Sequence, residues 1–256
     1  MLTLDTLSEK SGLLLAERYD AQRRVDALNA QFRHFGTSCF LEAVITRGLF
    51  DRIAMVSSFG ADSAVLLHLI AHIDRNLPVL FIDTALLFPE TLAYQTQLAD
   101  HLGLTNVQTI RAADHKVQAV DPYGALRFSD PDSCCTLRKR NVLNSALSGY
   151  DAWITGRKRH QATTRQSLTY FDLDPDTGLT KINPLIDWKP TRIKAHLKAH
   201  TLPRHPLVTK GYPSIGCAPC TSPVVKGEDT RAGRWRGTGK SECGLHRTAT
   251  PKGALT

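Results

Sequence analysis

Short apolar runs alternate with amphipathic segments through the middle of the chain. The first run, Ile53 to Val56, is followed by the small residues of Ser57 to Gly60 and then by apolar positions at helical spacing from Ala64 onward. A pattern of this kind predicts a buried strand, a loop of small residues and a helix, in that order.

The same alternation continues along the chain. Further strand-like runs are Val79 to Asp83, Val107 to Ile110 and Ala152 to Thr155. Pro89 suits the first turn of a helix between the first two of them. Strands that alternate with helices predict an α/β fold with a doubly wound, mainly parallel sheet, in which ligands bind beyond the carboxyl ends of the strands. Ser58, Asp83 and Gly156 all fall at such ends.

The pattern divides the chain into three parts. Residues 1–45 are predicted to be a helical N-terminal region, and residues 46–210 the α/β nucleotide-binding domain, which includes an amphipathic basic helix from Thr191 to His200. Residues 211–256 are rich in Gly, Pro and Cys. We expect a loop-rich, mobile C-terminal segment there, held by a ligand or a metal.

Composition restricts the class of protein. The chain has 256 residues, of which 42% are hydrophobic and 22% charged, values typical of a soluble globular protein and not of a disordered one. The N-terminus lacks the pattern of a secretory signal, and the apolar run from Ala64 to Ile73 is too short to cross a membrane. We therefore expect a cytoplasmic protein with no membrane association.

The formal charge is +8, and half of this excess lies between Cys217 and the C-terminus. A basic protein favours anionic partners such as nucleotides, sulfate, phosphate or nucleic acid. The loop from Ser57 to Ser63 fits a small anion, because backbone N–H groups at a helix start bind anions. The same loop could be an ordinary strand-to-helix turn that Ser or Asp caps.

Four of the six cysteines form two pairs, Cys134-Cys135 and Cys217-x-x-Cys220. In a cytosolic chain such pairs indicate metal or redox chemistry more than disulfides. Four thiolates can hold a zinc ion or a four-iron cluster. Adjacent cysteines favour the cluster, because a cubane offers each thiolate its own corner. Four buried, unligated cysteines are the simplest alternative.

The two remaining cysteines differ in their surroundings. Cys243, in the segment Glu242-Cys243-Gly244, is flanked by charge and glycine and follows several Arg and Lys residues, which suits a reactive thiol. A tail cysteine without a role is the alternative. Cys39 stands beside apolar residues, and we predict that it is buried in the core.

Two resemblances to known families add to this picture. The Ser57–Ser63 loop resembles the pyrophosphate-binding loop of the adenine nucleotide α-hydrolase-like enzymes, with Phe59 in place of a glycine. That replacement makes adenylate binding a better expectation than ATP cleavage. The loop, the two cysteine pairs and the tail Glu242 to His246 together resemble the assimilatory adenylyl-sulfate (APS) reductases over most of the chain, although Ala85 replaces a glycine common in relatives.

The second resemblance implies a function. An APS reductase reduces APS to sulfite and AMP in assimilatory sulfate reduction and cysteine biosynthesis, through an S-sulfonate on Cys243 that thioredoxin or a glutaredoxin-like protein resolves. It implies one 4Fe-4S cluster on Cys134, Cys135, Cys217 and Cys220. The implied catalytic residues are Cys243, Lys139, Arg165, Arg231, Arg234 and His246. The implied substrate-binding residues are Ser57, Ser58, Phe59, Gly60, Ile82, Asp83, Thr84, Gly156 and Arg157.

Several alternatives stay open at this point. A 3′-phosphoadenylyl-sulfate (PAPS) reductase or a dual APS/PAPS reductase shares the loop and the tail, although the PAPS branch lacks the paired cysteines. A tRNA-thiolating or adenylating enzyme of the same loop superfamily, and a zinc-containing nucleic-acid-binding protein, also fit the basic charge. We expect a homo-oligomer that binds no nucleic acid.

Overall fold

The computed structural model describes residues 4–238, 240 and 242–246, with side chains from residue 16 onward except that of His246. The helices are α1 (Leu4–Phe32), α2 (Thr37–Thr46), α3 (Ser63–Ala71), α4 (Pro89–Leu102), α5 (Asp114–Val120), α6 (Leu126–Ser129), α7 (Pro131–Cys135), α8 (Asn141–Ala146) and α9 (Pro190–Ala199). The strands are β1 (Ile53–Ser57), β2 (Val79–Ile82), β3 (Val107–Ile110), β4 (Ala152–Ile154), β5 (Phe171–Leu173) and β6 (Thr180–Ile182). Among the helices described, none is long and apolar enough to cross a membrane.

The strands form one sheet in the order β3-β2-β1-β4-β6-β5, and every neighbouring pair is parallel except β5 with β6. This arrangement confirms the predicted α/β class with a mainly parallel sheet. The central strands are apolar on both faces, since Ala54, Leu80 and Trp153 are almost fully buried. Helices cover both faces of a parallel sheet, so its strands bury their side chains in both directions.

The N-terminal helices pack onto the edge of this sheet. Asn29 of α1 makes two hydrogen bonds with the backbone of Phe171 in β5, at 2.8 and 3.0 Å. The Phe32 and Phe40 rings lie 5.6 and 5.3 Å from the Phe171 ring. Helix α1 thereby supplies partners for an edge strand that would otherwise expose backbone groups. The division at residue 45 stays a prediction, because these helices share the main core with the sheet.

The structure differs from the sequence prediction in two places. The hairpin β5–β6 was not predicted, because two three-residue strands give too short a periodic signal; Asp174 accepts backbone hydrogen bonds from Asp176 and Thr177 in its turn. The predicted burial of Cys39 is wrong, since Cys39 is exposed. It lies on the solvent side of α2, whose buried face is formed by Phe40, Leu41, Ala43 and Val44.

Candidate active site

A cavity of about 510 Å³ opens beyond the carboxyl ends of β1, β2 and β4. The predicted site residues that line it are Ser57, Ser58, Gly60, Ile82, Thr84, Lys139, Gly156, Arg157, Arg165, Arg231, Arg234, Cys217 and Cys243. The parallel sheet explains why these residues lie together, because the carboxyl ends of neighbouring parallel strands lie at the same edge of the sheet. The cavity has small residues of the β1–α3 loop on one side and basic residues near a thiol on another.

The β1–α3 loop reaches the cavity through Ser57, Ser58 and Gly60. The Gly60 backbone N–H donates to the Ser63 hydroxyl at 2.8 Å, and the Phe59 N–H donates to the Ser57 hydroxyl at 3.2 Å. Phe59 has a left-handed backbone, with φ +46°, and its fully buried ring packs edge-on against Phe81 at 5.3 Å. The Phe59 ring therefore lies on the core side of the loop, and the predicted substrate-binding role of Phe59 stays a prediction for its backbone.

In the turn after β2, one side chain bonds to the backbone of the turn itself and the next one lines the cavity. Asp83 accepts a hydrogen bond from the Ala85 N–H at 2.8 Å and is absent from the cavity wall, and its role in substrate binding stays a prediction. Ala85 itself has φ +58°, a conformation that favours the glycine common in relatives. The Thr84 hydroxyl does line the cavity, and it lies 3.2 Å from the Cys217 sulfur.

After β4, two buried cations lie side by side. The Arg157 guanidinium hydrogen-bonds Asn183 and pairs with Asp172 at 3.2 Å, so it holds the β5–β6 hairpin. Lys158, a residue that sequence reasoning did not select, pairs with Asp62 at 3.2 Å beside the β1–α3 loop. Both residues line the cavity, but the charge of Arg157 is already engaged by protein groups.

The first cysteine pair lies where an α-helix changes its winding. Asp130 caps α7, accepting from the Asp132 and Ser133 N–H groups at 3.1 and 3.0 Å. Cys134 and Cys135 end this helix, and a π-helical turn from Thr136 to Arg140 follows. Turns of this type insert a residue into the helix and change the direction of side chains. Lys139 lies in this turn and reaches the cavity.

The second cysteine pair is anchored on the turn after β2. The Ala218 N–H donates to the Leu86 carbonyl at 2.8 Å, and the Trp235 N–H donates to the Cys220 carbonyl at 2.9 Å. The Thr221 hydroxyl donates to the Cys217 carbonyl at 2.9 Å. These bonds place Cys217 and Cys220 close enough to Cys134 for their charges to affect its thiol.

The four paired cysteines suit a bulky metal group. A single tetrahedral zinc ion would bring its thiolate sulfurs to about 3.8 Å from one another. Among the described side chains, no three of these cysteines bring their sulfurs within 4.8 Å of one another, although a histidine cluster meets that limit. Burial raises the pKa of Cys134 and of Cys220, so these thiols need a nearby metal charge to ionise. The donor set therefore fits a cubane better than one zinc ion.

Cys243 lies next to this group and within the cavity. Its sulfur accepts a hydrogen bond from the Cys135 thiol, and this bond holds the pKa of Cys243 below its usual range, against the opposing effect of burial. Lys139 adds to the same effect. Burial opposes the charge on Lys139, but the thiols of Cys243, Cys217 and Cys135 outweigh it and raise the pKa of Lys139.

Glu242, the neighbour of Cys243, binds two of the predicted basic residues. Its carboxylate accepts two hydrogen bonds from Arg165, at 2.7 and 2.8 Å, and one from Arg231 at 3.3 Å. All three side chains are largely buried. Two guanidinium groups that converge on one carboxylate form a site that would also accept a phosphate or sulfate oxygen.

Arg234 is held against the backbone of the cysteine segment. Its guanidinium donates to the Ile215 carbonyl at 3.2 Å and lies 4.4 Å from the Trp235 ring centre. A Cβ atom on Gly216 would come within 2.3 Å of this guanidinium. The glycine therefore permits the close approach, and the Nε atom of Arg234 is buried without a hydrogen-bond partner.

The described part of the tail is docked over the cavity. Lys240 forms an ion pair with Asp132 of α7, and Leu245 packs against an apolar cluster that includes Leu143 and Trp153. The predicted catalytic residue His246 ends a short 3-10 turn, but its side chain lies outside the described residues. The described contacts explain how a segment rich in glycine and charge comes to cover the cavity.

Comparison with known proteins agrees with this arrangement. The phosphoadenosine phosphosulfate reductase domain matches residues 52–223. A protein of Mesorhizobium japonicum named adenosine 5′-phosphosulfate reductase is 47% identical over 219 residues, which are 86% of this chain and 85% of the relative. The chain belongs to the phosphoadenosine phosphosulfate reductase domain family. A relative of the same name from Chelativorans sp. is 45% identical over 89% of this chain and 92% of its own length.

Other relatives in this family carry different names. A Gloeobacter violaceus protein named phosphoadenosine 5′-phosphosulfate reductase is 38% identical over 77% of this chain and 83% of its own length. A crystal structure of the Candida auris phosphoadenylyl-sulfate reductase, in a phosphate complex, superimposes with a TM-score of 0.64 at 24% identity and covers 78% of this chain and 96% of that one. The second likeness supports the fold alone, and it confirms the α/β class.

Proposed function

We propose that this chain reduces adenylyl sulfate to sulfite and AMP in assimilatory sulfate reduction. The observation that carries the proposal is the position of Cys243. The Cys243 thiol shares one cavity with the Ser57–Gly60 loop and with a group of basic side chains that includes Lys139. The names of the relatives from Mesorhizobium japonicum and Chelativorans sp. support the same activity.

The proposed reaction has two steps. In the first, the Cys243 thiolate attacks the sulfur of the sulfate group, the bond from that sulfur to the bridging phosphate oxygen breaks, and AMP leaves with the electron pair. Cys243 then carries an S-sulfonate. In the second step, a thiolate of a dithiol protein such as thioredoxin or a glutaredoxin-like protein attacks the Cys243 sulfur and sulfite leaves. The dithiol then closes to a disulfide, which supplies the two electrons.

The basic residues reduce the main barrier to the first step. A thiolate and an anionic sulfate repel each other, and cations at the reacting centre offset this repulsion and the charge that moves onto AMP. Arg165 and Arg231 are proposed to bind the phosphosulfate in place of Glu242, with Lys139 and Arg234 on the side of Cys243. His246 is proposed to act beside the reacting thiol.

The nucleoside end is proposed to bind at the strand ends. Ser57, Ser58, Gly60, Ile82, Thr84 and Gly156 line that part of the cavity. Small residues and backbone N–H groups there suit close contact with a ribose and a phosphate. Phe59 and Asp83 support the same region from behind, and Arg157 lines it with a guanidinium that Asn183 and Asp172 hold in place.

We propose that Cys134, Cys135, Cys217 and Cys220 hold a 4Fe-4S cluster. When bound, the cluster supplies local charge beside the substrate and is not consumed as an electron donor. Ligation removes the Cys135 proton, so Cys135 can no longer donate to Cys243. Lys139 and the Leu245 N–H are then the main groups that favour the Cys243 thiolate.

The nucleophile can be tested by trapping the intermediate. Anaerobic protein is incubated with labelled APS without a reductant, and the peptides are analysed by mass spectrometry for a sulfonate. We expect the adduct on Cys243, its loss in Cys243→Ser, and an unchanged amount in Cys39→Ser, a matched change of an exposed cysteine. In a second assay with thioredoxin present, sulfite release at the full rate by Cys243→Ser would refute the proposal. More rapid labelling by PAPS would instead assign the chain to that substrate.

The cluster is tested separately on protein purified without oxygen. We expect a brown protein with about four irons per chain, and loss of iron and colour in Cys134→Ser but not in Cys39→Ser. A colourless protein that contains stoichiometric zinc on the four cysteines would refute the cluster. The thermal unfolding midpoint of each variant shows whether it still folds.

A further inference from the structure

Four histidines lie together on the seam between α3 and α9, and the proposed reaction uses none of them. His68 lies on α3 and His72 directly follows that helix, while His196 lies on α9 and His200 directly follows it. The spacing of four residues places each pair on one face of its helix. Two such faces pack against each other here, so the four rings form one cluster.

The rings are close enough to share one small ligand. One ring nitrogen each from His68, His196 and His200 lies within 4.8 Å of the other two. The His196 Nε2 and His68 Nδ1 atoms form a hydrogen bond of 3.1 Å. Imidazole nitrogens bound tetrahedrally at the usual zinc distance are about 3.3 Å apart, so this pair already has the required separation.

We propose that His68, His196 and His200 bind one divalent transition-metal ion of the zinc type. Imidazole is a preferred ligand of zinc, copper and nickel, and three protein ligands with a water molecule complete a tetrahedral zinc site. The cluster runs from the buried His68 through the half-buried His196 to the exposed His200. An ion can therefore enter from solvent at the His200 end.

The contact between the two inner rings is a hydrogen bond, so one of the facing nitrogens, His196 Nε2 or His68 Nδ1, carries a proton. A neutral imidazole has one protonated and one unprotonated nitrogen, and the proton can move to the other nitrogen of the same ring. A metal ion between the two rings would take the place of that shared proton.

Contacts with residues other than the three proposed ligands orient the histidine rings around the proposed ion. The backbone carbonyl of His68 lies 2.9 Å from the Nδ1 atom of His72, which fixes that ring beside the cluster. The Trp188 ring centre lies 5.4 Å from that of His196, and the Arg192 guanidinium lies 4.0 Å from the centre of the Trp188 ring. Such packing limits the rotation of the His196 ring and reduces the entropy that metal binding must overcome.

A metal at this position would fasten α9 to α3. Ile193 and Leu197 of α9 line the active-site cavity, and α3 begins at the loop that precedes Ser63. The ion would thus hold one wall of the cavity against the nucleotide-binding loop. It would be a structural site, separate in chain position and in ligand type from the four paired cysteines.

The test is zinc binding by the iron-loaded protein, in which the cysteines are already occupied. Anaerobic holoprotein is dialysed against micromolar Zn²⁺, and zinc and iron are counted by mass spectrometry of the elements. We expect one zinc per chain in addition to iron, and a thermal unfolding midpoint several degrees higher with zinc. Absence of bound zinc would overturn the proposal.

Variants show which residues bind the ion. We expect His200→Ala to weaken zinc binding by about tenfold or more, and His196→Ala/His200→Ala to abolish both binding and the zinc-dependent rise in unfolding midpoint. His200→Asp should restore part of the binding, because a carboxylate also ligates zinc. His115→Ala, a change of an exposed histidine on α5, is the matched control.

Two results would contradict a zinc site at the histidine cluster. Zinc binding that survives in His196→Ala/His200→Ala at the wild-type level would place the ion elsewhere and overturn the site. If His115→Ala weakened zinc binding as much as His200→Ala does, the zinc would be bound only by exposed surface histidines, and the proposed site would be wrong. The iron content and the unfolding midpoint without zinc, measured on every variant, separate loss of the site from loss of the fold.

Discussion

Arg165 holds both carboxylate oxygens of Glu242, at 2.7 and 2.8 Å, on the wall of the cavity that also contains Cys243. The residue next to the proposed nucleophile thus occupies a site that would also accept an anion. A substrate that uses Arg165 must displace this carboxylate, so Glu242 and the anion compete for one guanidinium.

Neutralising Glu242 should therefore strengthen anion binding. We expect Glu242→Gln to lower the dissociation constant of AMP by about tenfold, since charge-assisted hydrogen bonds contribute about 1.5–3 kcal/mol. Isothermal titration calorimetry on the wild type and the variant measures the change. Glu228→Gln removes another arginine-paired glutamate, which lies away from the cavity on Arg236, and should leave AMP binding unchanged. Equal or weaker AMP binding in Glu242→Gln would contradict the competition.

Arg157 was predicted to bind the substrate and Arg165 to act in catalysis, and their guanidinium groups have different partners in the cavity wall. Arg157 is bonded to Asn183 and Asp172 of the β5–β6 hairpin. We expect Arg157→Met to lower the free energy of unfolding by about 3 kcal/mol, because it leaves buried polar partners without a cation, while KM for APS changes little. Arg165→Met should raise KM strongly with a smaller loss of stability. Urea unfolding and initial rates on both variants distinguish them, and the same pattern in both would show that the roles are not separate.

The sequence was sufficient for the elements with a long or clear pattern. The runs at Val79 and Val107 became β2 and β3, and the loop after β1 was placed correctly because strand, small residues and helix follow one another without a break. The side of the loop that Phe59 faces could not be predicted, because it depends on a left-handed φ and on Phe81, which lies on another strand.

The same limit applies to the candidate site. The cysteines and the basic residues were found from their types and spacing, which reflect chemistry directly. The pairing of Glu242 with Arg165 joins residues 77 positions apart, so local pattern does not reveal it. Glu242 stands beside Cys243 in the sequence, and that adjacency was the signal that could have identified it. Lys158 was similarly not selected from the sequence, because its partner Asp62 is brought to it only by the fold.

Gly216 should control the position of Arg234. A Cβ atom there would approach the guanidinium to 2.3 Å, and the end of a flexible side chain can move away at small cost to the fold. We expect Gly216→Ala to leave the unfolding midpoint nearly unchanged and to lower kcat/KM for APS by about tenfold, as expected when a transition-state contact is displaced. Gly36→Ala, where a Cβ meets nothing within 4 Å, is the control. Full activity of Gly216→Ala would show that Arg234 need not occupy this position.

His205 should make the stability of the protein depend on pH. It is fully buried, where its ring contacts the Thr91 hydroxyl at 3.0 Å and accepts a hydrogen bond from the Leu207 N–H at 3.2 Å. Burial lowers its pKa from 6.5 to about 4. A histidine with a lowered pKa in the folded state stabilises fully above its unfolded pKa, and this stability is lost as the pH falls from 6.5 towards 4.

The expected loss at pH 5.5 is about 1.4 kcal/mol relative to pH 7.5, from this residue alone. His205→Gln cannot gain a proton, so the difference between its unfolding free energies at the two pH values should be smaller than that of the wild type by about this amount. Urea unfolding at both pH values measures it, and the exposed change His115→Gln should keep the wild-type difference. If His205→Gln lost as much stability between these pH values as the wild type, protonation of His205 would not be what destabilises the folded state in mild acid.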